Sequence, residues 1–152
     1  MNTWIFQSNP KGFNLDIYLK QVNSVQWSIR QKQYKYQFSI GDDVYIWRAD
    51  GFNPGSGGII ARGKIISLPE LAKDKHPQYY ITQQDNLLDL RVNISISEVR
   101  LSEVEGMIKR VDLEADERIE DLTILRMRNQ TNYKLELKQA IFLKQLWDKK
   151  IK

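Results

Sequence analysis

The sequence predicts an α+β fold, a small curved β-sheet or barrel of about five or six strands flanked by helices. Three observations point to it. Short β-branched and aromatic runs recur through roughly the first hundred residues, broken by clusters of Gly, Pro and Asn instead of long helical stretches. Leu90, Val92, Ile94 and Ile96 alternate strictly with polar neighbours, the period of a half-buried strand. Toward the C-terminus, Leu137, Ala140, Ile141, Leu143 and Trp147 recur at helical spacing and make an apolar stripe that packs on the sheet.

The elements follow in chain order. Trp4-Ile5-Phe6 reads as a strand stopped by the turn formers Ser8-Asn9-Pro10-Lys11-Gly12. Asn14 is placed to cap a helix of two to three turns that carries Leu15, Ile17, Tyr18, Leu19 and Val22, with Asp16 in its first turn. Val25, Trp27 and Ile29 alternate with polar residues, so Trp27 is expected to point inward. Residues 31–39 lack a clean period and read as a loop. Val44 to Arg48 is a strand, the glycine-rich stretch 49–58 a flexible turn, and Ile59 to Leu68 a second strand with a bulge or close approach at Gly63. Residues 70–78 look like loop, Tyr79 to Thr82 and Leu88 to Ile96 like strands. In the acidic stretch 101–126, Val104, Met107, Ile108, Val111 and Leu113 suggest a short helix, and Leu122 to Leu125 an extended segment. The expected organisation is one domain over residues 1–152.

Composition narrows the functional classes. The chain has no cysteine, which removes disulfides, zinc fingers, thiolate catalysis and iron–sulfur clusters, and fits a reducing, cytoplasmic setting. Neither a signal peptide nor a membrane-spanning run is expected. His76, the single histidine, is expected to be a solvated loop residue without metal-ligand spacing around it. A net charge of +4 permits a polyanionic partner. No nucleophile with its base stands at a recognisable spacing, so no catalytic residue and no cofactor is assigned. Asp42-Asp43 reads as a turn with one solvated carboxylate. Gly55-Ser56-Gly57-Gly58 lacks the Lys-Ser/Thr and helix of a phosphate-binding loop. What remains is aromatic content beside polar turns: Trp4, Phe6, Trp27, Tyr34, Tyr36, Trp47 and Phe52 supply flat faces for a planar ligand.

Four blocks give that content a context: residues 4–11 (WIFQSNPK), 27–31 (WSIRQ), 41–48 (GDDVYIWR) and 57–65 (GGIIARGKI). In order and spacing they resemble the signature blocks of EVE domains. Residues 90–92, 124–126 and 130–135 resemble the closing blocks, so the likeness covers residue 3 to about 148. It implies a PUA-like fold, related to the YTH readers of methylated adenine in RNA, and a partner that is nucleic acid, with modified DNA favoured over RNA. By the same likeness a nuclease or motor protein of modification-dependent restriction is an expected associate. The resemblance places Trp27 as the aromatic wall against the base, Ser28 and Ile29 as the backbone edge beside it, and Asn9 as a polar reader. It makes Trp47 a second wall, Arg48 a phosphate contact, and Thr131, Asn132 and Lys134 the grip on the backbone. The chain departs from the pattern in its Gln- and Tyr-rich loop 31–39 and in Leu135-Glu136, which replaces the usual capping Thr or Ser. Three functions are in play: a reader of modified cytosine in DNA that works by base flipping, an RNA-binding module, and an interaction domain for a peptide or small ligand.

Overall fold

Trp4, Ile5 and Phe6 are all completely buried, and so are Val44, Ile46 and Trp47, with Tyr45 nearly so. A strand covered on one face alternates, whereas one covered on both reads as a continuous apolar run. These two runs are the parallel centre of the sheet: β1 (Thr3–Ser8) pairs with β3 (Asp43–Arg48), Trp4 opposite Val44 and Ile5 opposite Tyr45. Alternate side chains enter different cores. Trp4, Phe6, Val44 and Ile46 join one cluster with α1 (Leu15–Gln21), while Ile5, Tyr45 and Trp47 join another with α4 (Leu137–Lys149).

The computed structural model describes residues 1–81 and 88–150. Among them, β2 (Ser24–Ser28), β6 (Asp89–Val99), β4 (Gly58–Ile65), β3, β1 and β8 (Asn132–Lys134) lie side by side in that order. β5 (Glu70–Ala72) pairs with β6, and β7 (Ile108–Lys109) with β4. The sheet curls until its two ends meet, and side chains join them. Asn132 Oδ1 accepts from the backbone N–H of Arg30 (2.8 Å) and Gln31 (3.3 Å), and its Nδ2 donates to Ser28 C=O (3.0 Å). Gln31 Oε1 answers by accepting from the N–H of Thr131 and Asn132. The expected curved sheet is thus a barrel with one seam, closed by two amide side chains.

Gly63 has the close approach anticipated for it: the register shifts between Arg62 and Gly63, and a Cβ there would lie 2.3 Å from Ser95 O. Elsewhere the local pattern misleads. Residues 70–78 contain β5, and Tyr79 to Ile81 is not a strand. Pro77–Tyr79 is a 3-10 turn, and Tyr80 forms a single bridge to Phe13; Thr82 lies outside the described residues. Tyr79 turns in to pack on Tyr18, ring centroids 4.9 Å apart, which an extended backbone at the sheet edge would not require. The helix expected across Val104 to Leu113 starts only at Arg110, as α2 (Arg110–Glu114). The turn that begins at Ser102 ends at Gly106, whose φ of 104° does not continue a helix, and Ile108 is taken into the sheet opposite Ile59. Residues 122–125 are not extended: α3 (Thr123–Arg126) buries Ile124, since a four-residue apolar run carries no period that separates helix from strand.

The closing helix forms as expected, with Leu143 and Trp147 fully buried, although Leu137 and Ile141 face outward. Its start is capped without Ser or Thr. Gln139 Oε1 accepts from Glu136 N–H at 2.9 Å while the Glu136 side chain takes the N–H of Gln139, a reciprocal box. Asn14 stands at the start of α1 but its side chain makes no capping bond. Asp42 is not solvated. It is wholly buried and accepts from Trp4 Nε1 (3.0 Å), Asn2 N–H and Ser39 N–H, while Asp43 pairs with Arg62 and Lys64. His76 is half-buried, its Nδ1 3.0 Å from the Tyr18 hydroxyl. No helix among the described residues is long and apolar enough to cross a membrane.

Candidate base-binding pocket

Beside the seam, between the end of β1 and the edge of β2, lies a cavity of about 180 Å³. Gln26, Trp27 and Ser28 all line it. Three consecutive residues of one strand reach it because β2 is an end strand, so the cavity lies along its edge and not on either face. Gln7, Ser8 and Thr131 also line it, together with the rings of Phe13, Tyr18 and Tyr80 and the charged side chains of Asp74, Arg30 and Arg91.

Trp27 is fixed from behind. Only 6% exposed, it packs on Phe6 with ring centroids 6.3 Å apart, and its Nε1 donates to Gln7 C=O at 3.3 Å. The other aromatics brace one another: Phe13 meets Tyr18 edge-on at 5.1 Å and Tyr80 at 4.9 Å. Burial pushes the Tyr18 hydroxyl well above the ordinary phenol range, and burial followed by the nearby Asp74 carboxylate raises that of Tyr80. Both therefore remain protonated hydrogen-bonding groups at neutral pH. Arg91 donates from Nη1 to Ser28 Oγ (3.2 Å) and from Nε to Ala72 C=O, which ties β2 and β5 to the strand between them. Arg30, with its side chain mostly exposed, pairs loosely with Asp89 at 3.3 Å.

Of the residues singled out in the sequence, the fold brings Trp27, Ser28 and Thr131 together on this cavity. Ile29 stands behind it, wholly buried, with its N–H given to Leu90 C=O. Asn9 is exposed and off the wall, and its Oδ1 accepts from Lys11 N–H to shape the turn. Trp47 is no second wall. It has no exposed surface and belongs to the opposite core, beneath the Arg110 guanidinium, because its position in β3 has the parity of Ile5 and Tyr45. Asn132 is fully buried and spent on the seam. Lys134 is exposed, its ammonium bonded to Gln37 Oε1 at 2.6 Å.

Arg48 does not offer its charge to a phosphate. Its Nη1 is bidentate to Asp16 (2.9 and 3.0 Å), Nη2 donates to the carbonyls of Ser56 and Leu101, and the residue is only 9% exposed. Arg48→Ala should accordingly lower unfolding stability by about 2 kcal/mol, since Asp16 is half-exposed and recovers water. The salt slope of nucleic-acid binding should stay as it is, and a slope reduced by about one would restore Arg48 as a phosphate contact.

Sequence reasoning passed over Phe13, Tyr18, Gln26, Asp74, Tyr80 and Arg91. Tyr18 has the spacing of a core residue on α1, and it is one. Its hydroxyl accepts from Gln26 N–H at 2.9 Å and lies 3.0 Å from His76 Nδ1, which ties α1 to the strand and loop that line the cavity.

A family model described as the EVE domain matches residues 2–146. No curated protein matches the chain in sequence. Among solved structures, a hypothetical protein from Leishmania major is similar, with a TM-score of 0.69 and 14% identity, covering 98% of this chain and 96% of its own. Human THYN1 protein, solved in complex with DNA containing 5-methylcytosine, is similar at TM-score 0.68 and 14% identity, over 97% of this chain and 98% of its own. A protein from Agrobacterium tumefaciens follows at TM-score 0.64 and 13% identity, over 99% and 93%. Likeness at this identity is likeness of fold, here the PUA-like α+β barrel.

Proposed function

The chain belongs to the EVE domain family, and on that premise we propose that it is a non-catalytic reader of 5-methylcytosine or a derivative in DNA, capturing the base after it is flipped out of the duplex. The observation that carries this reading is the cavity itself. At about 180 Å³ it is smaller than the roughly 300–1,000 Å³ of pockets for drug-sized ligands, it is walled by Trp27 with three further aromatics near, and two arginines stand at its rim. That is the provision a single planar base needs. Unpairing consumes a few kcal/mol, and a stacked base recovers roughly 1–3 kcal/mol before any edge hydrogen bond is counted. The DNA-bound THYN1 structure supports the same chemistry in a protein of like fold. In this reading Thr131 and Lys134 lie along the path of the strand with Arg30 and Arg91, and a nuclease or motor protein of a modification-dependent restriction system acts on what is bound.

The test is a binding series on one duplex whose central cytosine is unmodified, methylated, hydroxymethylated or glucosylated, run beside RNA carrying methylated adenine. Burying one methyl is worth about 0.8 kcal/mol, so methylated DNA should bind roughly fourfold more tightly than unmodified DNA. Preference for the RNA would assign the protein to RNA recognition. Absence of any salt-dependent affinity would leave a peptide or small ligand as the occupant.

A further inference from the structure

A carboxylate inside a cavity meant for part of a polyanion needs a reason, because it repels the phosphates that bring the ligand there. Asp74 is such a group. Its place is built, not incidental. Gln26, inside β2, clamps the chain on both sides of it: Nε2 donates to Lys73 C=O at 3.2 Å and Oε1 accepts from Lys75 N–H at 2.7 Å. Asp74 Oδ1 accepts from His76 N–H at 2.7 Å, and the Tyr80 hydroxyl is hydrogen-bonded to the same carboxylate. These bonds fix where the carboxylate points, and a carboxylate oxygen can accept more than one hydrogen bond.

We infer that Asp74 selects the base by its edge, accepting a hydrogen bond from the exocyclic amino group of cytosine and turning away bases that present a carbonyl there. Cytosine carries an N4 amino donor where thymine carries the O4 acceptor, and Asp or Glu accepting from that amino group is the matching contact. Against O4 the carboxylate would face a second acceptor with no proton between them. The inference rests on the base-reading function proposed above and adds its chemistry: the aromatic cavity accommodates the methyl, and Asp74 distinguishes 5-methylcytosine from thymine, which carries the same methyl. Gln26 acts through Asp74, as a positioning residue.

The experiment compares affinities for one duplex with cytosine, 5-methylcytosine, thymine or uracil opposite the same guanine. A mismatched base flips more readily, but that advantage is common to all variants and cancels when a variant's ratio is divided by the wild-type ratio. Asp74→Asn, which keeps the shape and can turn its NH2 toward O4, should reduce the ratio of 5-methylcytosine to thymine affinity about tenfold or more. The ratio of 5-methylcytosine to cytosine, which share an edge, should change little. Gln26→Leu should lower the same first ratio, and the double variant should add little to either single one. Should Asp74→Asn fail to fold, Asp74→Ser and Gln26→Leu read the same quantity. A 5-methylcytosine to thymine ratio unchanged in Asp74→Asn, in a protein that still prefers methylated over plain cytosine, overturns the role of Asp74 and leaves the reading of the pocket standing. A wild-type protein indifferent to all four bases overturns both.

Discussion

Replacing Trp27 by alanine is expected to lower affinity for 5-methylcytosine DNA about tenfold to hundredfold and to destabilise the fold by roughly 3–5 kcal/mol. The two effects have separate origins in one side chain. Trp27 is 6% exposed and packed on Phe6, so its removal leaves a hole in the core that also holds Trp4 and Phe38. The part that lines the cavity is the part a base can stack on. Affinity must therefore be measured at a temperature where the variant is folded, as monitored by near-ultraviolet circular dichroism. Trp47→Ala is the control: Trp47 is fully buried in the opposite core, so its loss should destabilise by a similar amount and leave the preference for the methylated base intact in the folded protein. Trp27→Phe, which retains an aromatic face, should recover part of the affinity. If Trp27→Ala and Trp47→Ala change the preference equally, stacking at Trp27 is not how this protein reads a base.

The second large effect is expected at Asn132. Alanine there removes three bonds at once, leaving Arg30 N–H, Gln31 N–H and Ser28 C=O without their partner at the seam. At about 1–3 kcal/mol for a buried polar group left unmade, tempered because Arg30 is solvent-exposed and its N–H regains water, the loss should come to roughly 3–5 kcal/mol. Urea unfolding gives the magnitude, and amide exchange gives the place: Arg30 and Gln31 should lose protection before the rest of the barrel. Because Ser28 and Arg30 line the cavity, affinity should fall as well. Gln31→Ala removes the reciprocal half of the seam and should be strongly non-additive with Asn132→Ala. A loss below about 1 kcal/mol, with unchanged exchange at Arg30 and Gln31, would show that the sheet holds its closure without these amides.

Much of the architecture is legible because strand and helix periods are local. The unbroken runs at Trp4 to Phe6 and Val44 to Trp47 mark strands buried on both faces, the alternation from Leu90 to Ile96 marks β6, and the spacing of Leu143 and Trp147 marks α4. Short segments were not legible in this way. Tyr79 to Ile81, Ile108 and Leu122 to Leu125 are too brief to display a period, and their partners, Tyr18, Ile59 and the second core, are distant in sequence.

The candidate site divides along the same line. By itself the sequence determined that Trp27 faces inward from a strand, that Ser28 follows it, and that the blocks around them are those of an EVE domain. Only the tertiary structure decided which polar and aromatic groups share the cavity with Trp27. Arg48 is claimed by Asp16, 32 positions earlier, Asn132 by Ser28, Arg30 and Gln31 about a hundred positions away, and the chain on both sides of Asp74 is held by Gln26. The reason is physical: an apolar side chain needs only to be removed from water, which its own strand or helix period arranges, whereas a polar side chain is committed by whichever partner stands within hydrogen-bond reach once the sheet has curled shut.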